Sequence, residues 1–209
     1  MDLFTRSVML TGTEAANMAY ATDMQAYVSD KLGQDIALWV VAFGAPRGSM
    51  TYSARVDGVA GVQAMNAQLM GDAEYMAKVA AGAALGGSAA ENNLLQVLHG
   101  EVGDPPPTGS VATVTTAVIA NGAYTQAVGW GVEVAQLGES ITGAPIIFGM
   151  NAFGTFGQVT WISVSADAAA ADAAGNAVNA NAEYIDKLGA VGDLFVPGSG
   201  HRSLAIRAA

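Results

Sequence analysis

Leu3 to Leu10 opens the chain as a run of β-branched, aromatic and aliphatic residues with no breaker, the pattern of a strand. Thr11-Gly12-Thr13 turns it. Thr13 suits a helix N-cap, and Glu14 suits the positive end of the helix dipole. The helix they open reaches Leu32, where Gly33 stops it. Ala21, Gln25, Val28 and Leu32 fall on one stripe of that helix. Asp35 to Phe43 is almost wholly apolar, as in a strand covered on both faces. After the loop Gly44 to Gly48, Met50 to Val56 alternates large and small side chains and reads as a third strand. Asp57-Gly58 ends it, and one long helix is expected from Val59 to Ala81. Glu74 and Lys78 stand four apart there, a spacing that supports an exposed helical face. Gly82 to Ala90 reads as a loop or a frayed helix end, and Asn93 to Leu98 as a fourth strand.

The pattern then returns. Asp72-Ala73-Glu74-Tyr75 is matched, 109 positions later, by Asn181-Ala182-Glu183-Tyr184. The same spacing, without a gap, pairs Leu32 with Ile141, Trp39 with Phe148, Thr51 with Thr160, Tyr52 with Trp161 and Leu95 with Leu204. Strands are expected at Val111–Ala120, Pro145–Met150, Gln158–Val164 and Arg202–Ile206, with helices at Ala123–Ile141 and Ala166–Leu188. Trp130, Val134, Leu137 and Ile141 make the stripe of the first of these helices. Asp104-Pro105-Pro106-Pro107 cannot continue a strand, so it marks an exposed linker without regular structure. The domain reading is therefore a first module at 1–100, a Pro-rich linker at 101–110 and a second module at 111–209. Each module is βαββαβ, the ferredoxin-like order, with a four-stranded antiparallel sheet and both helices on one face. The opposite face is also apolar and needs cover. A second such sheet supplies it, and two sheets wrapped face to face make an α+β barrel within one chain.

Charge narrows the partners. Eight Lys and Arg stand against eighteen Asp and Glu, and the basic residues are scattered singly. No basic stripe exists for nucleic acid or for an anionic membrane surface. No apolar run approaches the roughly 18 residues that a transmembrane helix needs. The chain has no Cys, which excludes disulfides and thiolate metal sites. Met1 to Arg6 lacks the basic start and apolar core of a signal peptide, so the cytoplasm is the expected compartment.

Several of these residues together resemble a known group. Leu32-Gly33, the strand with Trp39 and Phe43-Gly44, Tyr52, the Ala-rich helix ending Asp72-Ala73-Glu74-Tyr75, and Asn92-Asn93-Leu94-Leu95 are similar to the NIPSNAP-like branch of the dimeric α+β barrel proteins. Phe148, Trp161, Glu183-Tyr184 and Leu204 carry the likeness in the second half. The resemblance implies tandem ferredoxin-like βαββαβ modules forming an intramolecular dimeric α+β barrel. The superfamily it implies includes cofactor-free monooxygenases, isomerases, dehalogenating enzymes, haem-binding enzymes and proteins with no known reaction.

Few side chains could carry chemistry. His99 ends the fourth strand and His201 begins the last one. Either could act as a general base or a haem ligand, and a partly exposed strand end explains each as well. Arg6 and Arg55 lie within expected strands, where they bind an anionic or carbonyl group or else sit at a sheet edge in water. Trp39, Tyr52, Phe148 and Trp161 are candidates to line an apolar ligand pocket in the barrel, or to pack its core. The Met residues gather in the first half, among them Met18, Met24, Met65, Met70 and Met76, and suit an adaptable surface. Gly198-Ser199-Gly200-His201-Arg202 lacks the strand–turn–helix setting of a nucleophile elbow and reads as a turn. No phosphate-binding glycine motif follows a strand, and no His-rich spacing suits zinc, so neither cofactor nor metal is expected.

Two functional readings follow. One is a non-enzymatic or structural barrel protein that self-assembles into a homo-oligomer and holds a small hydrophobic molecule. The other is a cofactor-free monooxygenase or isomerase acting on a hydrophobic or aromatic small molecule in the barrel, with a haem-dependent form as a further variant. The Ala- and Met-rich helices, or the Gly82–Ala90 loop, are the expected contact between copies.

Overall fold

A computed structural model describes residues 1–86 and 89–209. The first half contains β1 (Asp2–Met9), α1 (Glu14–Leu32), β2 (Ala37–Phe43), β3 (Ser49–Val56), α2 (Gly58–Met70), α3 (Ala73–Ala83) and β4 (Glu91–His99). The second contains β5 (Val111–Val118), α4 (Tyr124–Thr142), β6 (Ile146–Asn151), β7 (Gln158–Ser165), α5 (Ala168–Ala180), α6 (Ala182–Gly189) and β8 (His201–Arg207). The strands close into one antiparallel barrel in the order β1-β3-β2-β8-β5-β7-β6-β4. Each half thus supplies a four-stranded sheet, and the ladders β2–β8 and β4–β6 join the two sheets. Both joining ladders carry a bulge, at Val41/Phe43 and at Val97/His99. Closure removes every sheet edge, so the edge position offered for Arg6 and Arg55 does not exist.

The helices pack on the outer faces. Phe4, Ile36, Ala54, Val56 and Leu94 are buried between the first sheet and its helices, and Ile119, Ala127, Ala135, Phe148 and Val159 between the second sheet and α4. Thr13 caps α1 through its hydroxyl, and Gly33 ends it at φ 61°. These are the signals the sequence carries.

The ungapped pairing of the halves fails in part. β1 and β5 keep the spacing of 109, as do β3 and β7. The helix α4 and its left-handed cap Gly143 lie one position further from α1 and Gly33. That shift persists into the strand. Leu38 pairs with Tyr52, whereas Phe148 pairs with Trp161. Leu38, not Trp39, therefore matches Phe148. Side chains alternate across a strand, so the one-residue slip sends Trp39 into the barrel and Phe148 to the outer face.

The long helices are also each broken in two. Asp72 accepts a hydrogen bond from the Tyr75 amide at 2.9 Å and starts α3 afresh. Asn181 does the same for α6 through the Tyr184 amide, also at 2.9 Å. Short polar side chains satisfy helix-start N–H groups better than they continue a helix. The new angle also undoes the expected pairing within each helix. Lys78 reaches Asp23 on α1, and Lys187 reaches Glu133 on α4, in place of Glu74 and Glu183.

The linker has no regular structure, as expected, but only Asp104 and Pro107 of its Pro-rich stretch are exposed. Pro105 and Pro106 are half-buried across one end of the barrel. Arg55 pairs with Asp104 at 2.9 Å, while Arg207 donates to the Pro106 carbonyl and to Asp35 at 3.1 Å.

Candidate functional site

Two cavities stand out among the described residues. The first is a cleft of about 530 Å³ between the outer face of the first sheet and its helices. Phe4, Arg6 and Val8 of β1 form its floor, because alternate residues of that strand face outward. Tyr20 and Met24 of α1, Met65 and Leu69 of α2, and Tyr75 of α3 form its wall. The second cavity, about 560 Å³, is the barrel interior.

Arg6 supplies the charge in the cleft. Its Nε donates to Asn92 Oδ1 at 2.8 Å, and its Nη1 donates to the Tyr75 hydroxyl at 3.0 Å. A guanidinium has five N–H donors, so these two bonds leave others for a ligand oxygen. Tyr52 reaches the Ala21 carbonyl at 3.4 Å. Burial raises the pKa of Tyr52, and burial followed by the nearby Tyr75 and Asp23 raises that of Tyr20. Both phenols therefore stay protonated at neutral pH and act as donors. No Asp, Glu or His is among the described residues lining the cleft. The arrangement can hold an oxygen-bearing apolar molecule through Arg6 and the tyrosines, but it brings no carboxylate or imidazole to take a proton.

The four aromatic candidates separate. Trp39 lines the barrel interior, with its Nε1 donating to Ser53 Oγ at 2.9 Å. Tyr52 lines the cleft. Phe148 and Trp161 pack together in the second half with ring centroids 4.9 Å apart. Trp130 stands 6.1 Å and Phe195 5.9 Å from Trp161 by the same measure. These rings fill the second half's counterpart of the cleft, where Trp130 and Trp161 occupy the places of Tyr20 and Tyr52.

The other charged candidates also disperse. His99 lies 3.1 Å from Glu139 of α4, tying β4 to the opposite half. His201 is exposed at the start of β8. Arg55 faces the barrel interior and is held by Asp104. Neither His lines the cleft, so the donors there do not suit a His-ligated haem. Among the described residues no group of three or more His, Asp or Glu side chains could hold a metal ion. Tyr75 and Asn92, the partners of Arg6, are residues that sequence reasoning did not single out as site residues. Their signal was weak: only folding brings α3 and β4 to β1. Met24, Met65, Met70 and Met76, expected to suit an adaptable surface, also line the cleft.

No protein-family profile and no curated protein matches the chain. Solved structures do. A proposed monooxygenase from Fusobacterium nucleatum superposes with a TM-score of 0.71 at 9% identity, covering 100% of this chain and 93% of that one. An anthrone oxidase-like protein gives 0.67 at 11% identity, covering 100% and 92%. A major regulator of staphylococcal pathogenesis gives 0.60 at 10% identity, covering 100% of both. The fold is the dimeric α+β barrel. At such identities the likeness fixes the architecture and leaves the chemistry to the residues of this chain. Among the described residues no helix is long and apolar enough to cross a membrane.

Proposed function

We propose that this protein is a non-enzymatic barrel protein that self-assembles and holds one small hydrophobic molecule per chain in the first-half cleft. One observation carries the reading. Arg6 and the Tyr75 hydroxyl face an apolar cleft of about 530 Å³, while aromatic rings fill the matching space in the second half. A cavity of this size, mainly apolar with a few convergent polar groups, has the form of a small-molecule site. The ligand presents a carbonyl or an anionic oxygen to Arg6 and lays its apolar body against Met24, Met65 and Leu69. Tyr52 is proposed as a wall of the site; Trp39, Phe148 and Trp161 are not. We further propose that the halves are two copies of one module, at 1–100 and 111–209, within the NIPSNAP-like branch.

The second reading is a cofactor-free monooxygenase. It is favoured by Arg6, which would stabilise an enolate or phenolate formed from the substrate, and by the oxygenase names of the neighbours. Against it stands the lack of a carboxylate or His in the cleft to form that anion. Anthrone tests both readings. Binding measured by calorimetry without oxygen uptake supports the binding protein, and oxygen uptake above the buffer rate overturns it. In either case Arg6→Met should weaken binding by about tenfold, the loss of one charge-assisted hydrogen bond.

A further inference from the structure

The barrel interior has two unlike ends. β1 and β5 begin at the end that the linker covers, and there Leu3 lies beside Leu95, and Ala112 beside Val164. Pro105 and Ile147 complete this apolar end. The same strands finish at the opposite end, where Ser7 lies beside Thr51, and Thr116 beside Thr160. The hydroxyls of Ser7 and Thr51 are 2.9 Å apart, and Thr160 donates to Asn151 Oδ1 at 3.2 Å. Asn93 faces the same space. Its Oδ1 is buried and has no hydrogen-bond partner. A buried acceptor without a donor is costly, so the site is one where an O–H or N–H group of a ligand gains most.

Charge separates the same way. The lining charges, Arg55, Glu101 and Asp104, lie at the linker end, and Arg55 and Asp104 pair with each other. Glu91 and His201 stand at the hydroxyl end but are exposed and do not line the cavity. A carboxylate or ammonium entering there would lose its hydration without gaining a counter-charge.

We propose that the barrel interior is a second ligand site, distinct from the cleft, for a neutral amphiphile: an apolar chain or small ring ending in a hydroxyl or amide. The apolar part points to Leu3, Leu95 and Pro105. The head lies among Ser7, Thr51 and Thr160 and donates to Asn93 Oδ1. The site stands independently of the cleft reading, because the two cavities lie on opposite faces of the first sheet and share few residues.

Methyl NMR of the whole chain reads both cavities at once. Titration with 1-octanol at pH 7 should shift the methyls of Leu3, Leu95 and Val164. Octanoate, of equal chain length but ionised, should bind there at least about tenfold more weakly. Asn93→Leu should weaken octanol binding by about tenfold, through loss of one hydrogen bond. Thr160→Val serves the same purpose if Asn93→Leu does not fold. Arg6→Met should leave the barrel shifts unchanged. Shifts confined to the Met24 and Met65 methyls, or equal binding of octanol and octanoate in the barrel, would overturn the proposal.

Discussion

Asp72 shows how much one side chain decides. It caps α3, accepts a hydrogen bond from the Tyr27 hydroxyl at 2.7 Å, and pairs with Lys31, so it ties α1 to α3 along the rim of the cleft. Lys31, the Tyr75 amide and Tyr27 together hold its carboxyl well below the usual carboxylate range. The hydrogen bond to Asp72, with burial and nearby negative charge, pushes Tyr27 up to about 12. The signs of the two linkages differ. A depressed carboxylate contributes stability above its unfolded pKa, and loses it as pH falls below about 4 toward the folded value. A raised phenol contributes stability below its unfolded pKa of about 10 and loses it as pH rises to about 12. Denaturant midpoints of Asp72→Asn should therefore fall less than those of the parent below pH 4, and those of Tyr27→Phe should fall less between pH 10 and 12. Parallel curves for parent and variants would show that the network carries no stability.

At the scale of elements, close approach is bought by glycine. A Cβ on Gly131 of α4 would stand 2.4 Å from the Phe148 ring, so the absence of a side chain lets the helix lie on β6. Trp161 Nε1 then donates to the Gly131 carbonyl at 2.9 Å and locks the contact. Gly131→Ala should destabilise the protein by about 1–3 kcal/mol, the usual cost of overpacking a filled core. Urea unfolding followed by tryptophan fluorescence measures it. In the first half the helices lie over a cleft, and the nearly isosteric Met65→Leu on α2 should cost less than about 1.5 kcal/mol. A second junction depends on Gly149, where a Cβ would stand 2.3 Å from the Gln96 carbonyl across the β4–β6 ladder. The bulge beside it at Val97/His99 absorbs the turn from one sheet into the other.

For the whole molecule, the β2–β8 and β4–β6 ladders join the halves independently of the peptide link. Cleavage at Asp104 should leave both halves in one particle on size-exclusion chromatography. Separate halves in dilute buffer would mean that the ladders alone do not suffice. The surface bears on the proposed self-assembly. Phe43 and Phe156 are 71% and 87% exposed, and Met70, Met76 and Val79 are exposed on the helices of the first half. The Gly82–Ala90 loop, the other expected contact, includes residues 87–88, which lie outside the described residues. Sedimentation at low micromolar concentration should show a species above the 21.1 kDa chain mass. A single species at that mass would refute self-assembly.

Periodicity, caps and breakers are local properties, and they carried most of the architecture. The alternation at Met50 to Val56, the Thr13 and Gly33 caps and the Pro-rich linker all stand where the chain alone placed them. The order βαββαβ, written twice, was enough to imply a sheet whose bare face needs a second sheet. Strand parity was not local. Which face Trp39 meets depends on a one-residue offset that only the ladder with β3 reveals. The site was less legible still. Arg6, Tyr75 and Asn92 come from three elements, and nothing in their spacing brings them together until the helices cross the sheet. Whether a matching space is open or filled was also beyond the pattern, since Tyr20 and Trp130, or Tyr52 and Trp161, are alike in hydrophobic character. Ring volume and the fit of each helix to its sheet decided that the first half has a cleft and the second a core.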